Sequence, residues 1–202
     1  RELPREESRD GVKIVRVPVL FRVSKGAIMP TLGWIATRLV RQNDVVSLHL
    51  PQFDAAGLAL RGRLINRPVV LTYHCDLQLP AGIMNRAVDR VVFAANLLAG
   101  LFAHRIVAYT QDYADHSPLL RRFRDKIVVI PPPVIMPTPD PAAKRAFALQ
   151  QGLCGQPVIG FAARFAAEKG VEYLLEAMPE LLNQFPGLRV LFAGPYKNVL
   201  GE

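Results

Sequence analysis

The sequence predicts an α/β fold built on a parallel sheet, followed by the start of a second unit of the same kind. Three observations lead there. Short apolar runs of strand length alternate with segments of helical period along most of the chain. Strand-like runs such as "VVLTY" and "KIVVI" are apolar at both alternating positions, as in a parallel sheet covered on both faces. Six of the eleven residues from Pro131 to Pro141 are proline, a stiff stretch that cannot form a regular ladder, and the alternation restarts beyond it.

Each element follows from its local pattern. After a charged, polar start, "VKIVRVPVLF" (Val12–Phe21) alternates as a strand. "PTLGWIATRLVRQN" reads as a helix with Pro30 in its first turn. The strand-like "DVVSLHL" (Asp44–Leu50), the helical "QFDAAGLALRGRLIN" and the β-branched, aromatic "RPVVLTYH" (Arg67–His74) come next. A helix is expected over Gly82–Ala103, a strand over Arg105–Thr110, a helix through "QDYADHSPLLRRF" and a strand over Lys126–Pro131. Past the prolines come the helix "AAKRAFALQQ", the strand "PVIGFAA", the helix "VEYLLEAMPELLNQF" and the strand "LRVLFAG". Val171, Leu174, Leu175, Met178, Leu181, Leu182 and Phe185 fit one face of that last helix. The expected domains are residues 1–133 and 134–202, the second only two strands into its sheet.

Composition narrows the function classes. With 202 residues, half of them apolar, the chain has material for one large domain, or one domain and part of another. A formal net charge of +8 fits an anionic partner or a basic, solvated surface. Cys75 and Cys154 form no CxxC pair, which fits a reducing compartment without a disulfide framework. The start has no signal-peptide pattern and no Met. The longest apolar run, Val91–Ala103, falls short of the ~18–20 residues of a membrane span and reads as a buried helix. No G-x-S-x-G elbow, P-loop, RNP or zinc-finger spacing occurs, so nucleic-acid binding would rest on charge alone.

In parallel α/β sheets, ligands bind outside the carboxyl ends of the strands, so polar residues directly after strands carry the candidate chemistry. Arg164 ends one predicted strand, and Lys169 stands just before the next helix, with small residues between them. Two cations at a helix amino end suit a diphosphate; the plainer reading is a solvated Lys169 and an Arg164 paired with Glu168 or Glu172. His49 and His74 each close a strand, and Asp76 lies two residues beyond His74. They could line one cleft and hydrogen-bond a sugar hydroxyl or move a proton, or be satisfied by loop carbonyls. A metal reading of His49, His74, Cys75 and Asp76 lacks a spaced ligand pair.

Taken together, "LHLPQFD", "VVLTYHCDLQLP", "RIVAYTQDYADHSPLLRRFRDKIVVIPPPV" and "GFAARFAAEKGVEYLLEAMPELL…VLFAGP" resemble the retaining glycosyltransferases of family four, in the family's order from about Val12 to the chain's end. The Arg-x4-Lys-Gly element before "YLLEA" is the most specific part. The resemblance implies a GT-B architecture of two Rossmann-like domains, the first receiving the acceptor and the second holding a nucleotide-sugar donor. It implies that Arg164 and Lys169 contact the donor diphosphate, that His74 reaches the transferred sugar, that Asp76 lies toward the acceptor, and that Gly194 and Pro195 begin a loop beside the nucleotide. It implies no metal and no cofactor beyond the donor substrate, and a glycan or lipid-linked acceptor. A cytoplasmic setting follows, with peripheral contact at the inner face of the membrane, and no nucleic acid.

Two departures stand out: Ala163 where the family often has glycine, and "PPPV" where it has an asparagine-glycine-like turn. The family's glycine-rich loop would precede Arg1 and its paired-glutamate motif would follow Glu202. The expectation is therefore a chain truncated at both ends and inactive alone. Alternatives on the same two-domain plan are a nucleotide-sugar epimerase or a phosphorylase; a non-catalytic sugar- or nucleotide-binding module is another class.

Overall fold

The structure, a computed structural model, describes residues 3–23, 26–77, 79 and 81–197. By internal contacts the chain divides into two units, Arg1–Val134 and Ile135–Glu202.

The first unit opens with two antiparallel hairpins. β1 (Glu6–Arg9) pairs with β2 (Val12–Val15), with Arg9 opposite Val12, so Asp10 and Gly11 alone make the turn. Both have positive φ, 51° and 79°. That two-residue turn matches the twist of its strands and favours Asp-Gly. β3 (Phe21–Val23) pairs with β4 (Gly26–Ile28). The single strand expected over Val12–Phe21 is thus corrected to pieces of two hairpins. Pro18 lies in the gap and has no N–H for a continuous ladder.

The body of the unit follows as α1 (Leu32–Gln42), β5 (Val46–Leu50), α2 (Ala55–Leu64), β6 (Val69–Tyr73), α3 (Ile83–Phe102), β7 (Arg105–Ala108), α4 (Gln111–His116) and β8 (Ile127–Val129). The strands form one parallel sheet in the order β5-β6-β7-β8. Leu48, Leu50, Val69, Leu71, Tyr73, Ile106 and Ala108 are buried on one face, packed with Ala55 and Ala59 of α2 and Ala99 of α3. Small residues set that approach: a Cβ on Gly62 would stand 2.4 Å from Val69, and one on Gly100 2.4 Å from the Phe123 ring.

The alternate positions tell a different story. Ser47 and His49 are exposed, and Val70, Thr72 and Val107 are half-buried. The expectation of a sheet buried on both faces is corrected to one deeply buried face and one partly open face. Topology explains this. Right-handed crossovers between strands added always in the same direction place their helices on one side; covering the other side requires the strand order to reverse, and β1 to β4 do not join this sheet.

The apolar stretch Val91–Ala103 is likewise not a wholly buried helix. In α3, Asn96, Ala99 and Gly100 are buried, while Val91 and Leu101 are 61% and 55% exposed. Lys126 closes its carboxyl end: Nζ donates to the carbonyls of Gly100, Leu101 and Ala103 at 2.9–3.0 Å. A cation there complements the helix dipole and the unpaired carbonyls. Lys126→Met should lower stability by about 1 kcal/mol, read as a lower urea midpoint at unchanged m-value.

The second unit holds α5 (Pro141–Gln150), β9 (Val158–Ala162), α6 (Val171–Gln184) and β10 (Arg189–Ala193). β9 and β10 are parallel and paired from Val158↔Arg189 to Ala162↔Ala193. Phe161, Phe165 and Phe192 gather with ring centroids 5.3–6.4 Å apart. The expected apolar face of α6 divides: Val171, Leu174, Met178 and Leu181 are half-buried, whereas Leu175, Leu182 and Phe185 are exposed. Two strands about 5 Å apart are too narrow to cover the whole stripe.

Candidate functional site

At the carboxyl edge of the first sheet, period-two alternation decides which side chains meet. Leu50, Tyr73 and Ala108 point into the core, so His49, His74 and Tyr109, one position away, share the open face. His49 Nδ1 lies 2.9 Å from His74 Nε2, and His74 Nδ1 lies 2.6 Å from the Tyr109 hydroxyl. The imidazoles stack with centroids 5.1 Å apart, and the Tyr109 ring meets His74 edge-on at 5.4 Å. The parallel register aligns His49 with Thr72 and holds the His74 N–H on the Leu50 carbonyl at 3.0 Å. The two histidines chosen from the sequence are brought together directly.

Asp76 stands beside them with a different set of partners. Oδ1 accepts from the Tyr73 hydroxyl at 3.0 Å and from Ser117 Oγ at 2.9 Å, and Oδ2 accepts from the Tyr113 hydroxyl at 3.0 Å. Tyr73 and Ser117 are each 2% exposed. Burial first, and then the neighbouring Asp76 carboxylate, push the Tyr73 phenol up; burial and its hydrogen bond to Asp76 do the same for Tyr113. Both stay neutral donors across the working pH range. Asp76 therefore ties the loop after β6 to α4 and to the turn that follows it.

In the second unit, β9 ends at Ala162, Arg164 follows, a 3₁₀ turn covers Ala167–Lys169, and Gly170 at φ 66° leads into α6. Arg164 and Lys169 thus occupy the strand-to-helix turn, and both are exposed. Arg164 Nη2 donates to Glu168 Oε1 at 2.7 Å, an exposed i,i+4 pair. That is the ion pairing weighed from sequence, with Glu168 as the partner. Gly194 and Pro195 are drawn to the same turn: Ala163 N–H donates to the Ala193 carbonyl at 3.0 Å and Phe165 N–H to the Pro195 carbonyl at 3.1 Å.

Tyr109, Tyr113 and Ser117 were not singled out from sequence. A tyrosine after "RIVA" reads as one more strand residue, and α4 closes onto Asp76 only once the fold is made. The signal available was parity, since Tyr109 continues the alternation of Ile106 and Ala108 onto the open face. A cavity of about 530 Å³ was also missed. It is bounded by Ile28 at the end of the second hairpin, Met29 just after it, Phe53 after β5, and Val88 and Val91 of α3. Asp54 lies in its wall, its carboxyl pushed up by burial.

Among the described residues, no group of three or more His, Cys, Asp or Glu side chains could hold a metal ion, and no helix is long and apolar enough to cross a membrane. Both cysteines are free thiols.

Residues 1–136 match the family described as Glycosyltransferase Family 4. The D-inositol 3-phosphate glycosyltransferase of Segniliparus rotundus is 30% identical over 182 residues, covering 87% of this chain and 39% of that protein. The GDP-mannose-dependent alpha-(1-6)-phosphatidylinositol monomannoside mannosyltransferase of Mycolicibacterium smegmatis is 25% identical over 98% of this chain and 51% of that one. The chain thus spans about half the length, or less, of these relatives. Among solved structures, Anabaena Alr3699/HepE in complex with UDP and glucose matches with a TM-score of 0.58 at 18% identity, over 82% of this chain and 45% of that one. That last likeness speaks to the fold, an α/β chain with parallel sheets.

Proposed function

Because the chain belongs to glycosyltransferase family 4, we propose that it contributes to a glycosyltransferase moving a sugar from a nucleoside-diphosphate donor to a hydroxyl of a glycan or lipid-linked acceptor, with retention. In that reaction the bond between the sugar's anomeric carbon and the diphosphate oxygen breaks, its electron pair leaving with the diphosphate. The acceptor oxygen bonds to that carbon on the same face, and its proton passes to the departing diphosphate or to water. Arg164 and Lys169 bind the diphosphate and offset the charge gathering on it, a task that needs no metal. His49 serves the sugar side with His74 behind it, and Asp76 holds the loop that carries His74. Gly194 and Pro195 lie at the nucleotide.

The observation that carries the reading is the strand–Arg–turn–Lys–helix element at 158–171, which sets two cations beside a helix amino end. The Arg164–Glu168 pair is no obstacle. Its side chains are 44% and 41% exposed, and such pairs are worth ~0.2–1 kcal/mol, so a diphosphate can take the guanidinium over. The relatives' names support a nucleotide sugar: one is GDP-mannose-dependent, and the HepE complex holds UDP and glucose. The apolar cavity beside the acceptor-side sheet favours an acceptor with an apolar part, hence a lipid-linked one and contact with a membrane surface at the cytoplasmic side.

Isothermal titration with UDP and GDP tests the reading. Arg164→Ala and Lys169→Ala should each weaken binding about 10-fold or more, the scale of a lost charge-assisted hydrogen bond. Unchanged affinity in both variants overturns the diphosphate assignment.

A further inference from the structure

Both ring nitrogens of His74 are already engaged, Nε2 by His49 and Nδ1 by Tyr109. A group so occupied has little left to offer a ligand, and the open end of the chain lies at His49. Its second nitrogen, Nε2, makes no hydrogen bond among the described residues, and the side chain is exposed. We propose that His49, His74 and Tyr109 act as one hydrogen-bonded unit, in which Tyr109 fixes the tautomer of both imidazoles and His49 Nε2–H is the donor presented to a sugar hydroxyl. The ligand rests on the glycosyl-transfer reading; the tautomer order does not.

The order follows from donor counting. A neutral imidazole has one donor and one acceptor nitrogen, and a phenol can supply one donor. The Tyr109 hydroxyl has no other acceptor among the described residues, and a phenolic O–H is a better donor than a neutral imidazole N–H, so it donates to His74 Nδ1. The His74 proton then sits on Nε2 and is donated to His49 Nδ1. That leaves the His49 proton on Nε2, facing outward. The opposite order would make the phenol oxygen accept from His74 and leave its own proton without a protein partner. Geometry supports coupling over coincidence: three neighbouring strands each deliver one ring to one face, and both contacts are at hydrogen-bond distance. Tyr109 and His74 are positioning residues in this scheme, and His49 is the one that meets the ligand.

The test is a long-range proton–nitrogen spectrum of the ¹⁵N-labelled chain at about pH 8.5, above the ordinary histidine range. Both rings should show protonated Nε2 and unprotonated Nδ1. Tyr109→Phe keeps the ring contact but removes the donor, so His74 should drift toward a tautomer mixture and His49 with it. His49→Gln should leave His74 protonated on Nε2, because control runs from Tyr109. Protonated Nδ1 on either wild-type ring, an unmoved His49 in Tyr109→Phe, or a His74 mixture in His49→Gln overturns the order. The His49→Gln arm decides alone where Tyr109→Phe fails to fold. Addition of UDP-glucose should then move the His49 Nε2 signal more than any His74 nitrogen, and an unmoved signal overturns the ligand-facing role. Titration with UDP alone separates that outcome from failure of the glycosyl-transfer reading: if UDP binds and UDP-glucose still leaves His49 unmoved, only the ligand-facing role falls, whereas no binding of UDP sinks the reading itself.

Discussion

Asp76→Ala should unfold about 3–5 kcal/mol more easily than the parent chain, one of the largest losses available outside the apolar core. Three hydroxyls converge on that one carboxylate. Removing it strands Tyr73 and Ser117, which are buried, and Tyr113, which is half-buried. A stranded buried donor costs about 1–3 kcal/mol, and Tyr73 is almost wholly buried. Asp76→Asn should cost less, since an amide still accepts through its oxygen but turns a donor toward a donor. Chemical denaturation of both variants measures the difference; equal, small losses would show that the hydroxyls find other acceptors.

The same cluster gives a pH dependence whose sign is fixed. Tyr73 and Tyr113 have phenols raised above the ordinary range in the folded chain, by burial first and by Asp76 next. Their contribution to stability is complete below the unfolded phenol value of about 10. Above it the unfolded chain releases protons that the folded chain retains, so stability falls as pH rises. Tyr73→Phe and Tyr113→Phe should each flatten that alkaline fall.

Much of this architecture could be read from periodicity, because each of its main strands and helices is a local pattern. "VVLTY" is apolar enough to be central, and β6 is indeed flanked by β5 and β7. The cations at 164 and 169 and the histidines at 49 and 74 were visible as polar residues punctuating apolar runs. What was not legible depends on pairing. The Val12–Phe21 run alternates as one strand should, yet Asp10-Gly11 folds its first part back on Glu6–Arg9. An Asp-Gly dipeptide between strand-like segments is a hairpin signal, and the charge around it hid the strand. The open sheet face depends on strand order, which no single segment encodes. Tyr109 and Ser117 gain their roles from neighbours 35 and 41 positions away.

Gly194→Ala should weaken nucleoside-diphosphate binding at least about 10-fold without touching either cation. Gly194 follows β10 at φ 153°, in a region that side chains seldom adopt. A Cβ built on it would lie 1.9 Å from the Ala163 carbonyl oxygen and 2.7 Å from its carbon. The obstacle is backbone and cannot rotate away, so the two strand ends must part. The bonds at stake are Ala163 N–H to Ala193 and Phe165 N–H to Pro195, which bracket Arg164. Arg164 therefore owes its place to a glycine thirty residues later in the chain. The same reasoning separates Gly194 from Gly160 in β9, where a Cβ would meet nothing within 4 Å. Gly160→Ala should keep its affinity for UDP within about 2-fold, as an accommodated surface change does. Gly194→Ala should lose at least about 10-fold, equivalent to 1.4 kcal/mol. Equal affinities in the two variants would mean that the turn around Arg164 is not held by the loop at 194–195, and that any anion bound there is gripped by the side chains alone.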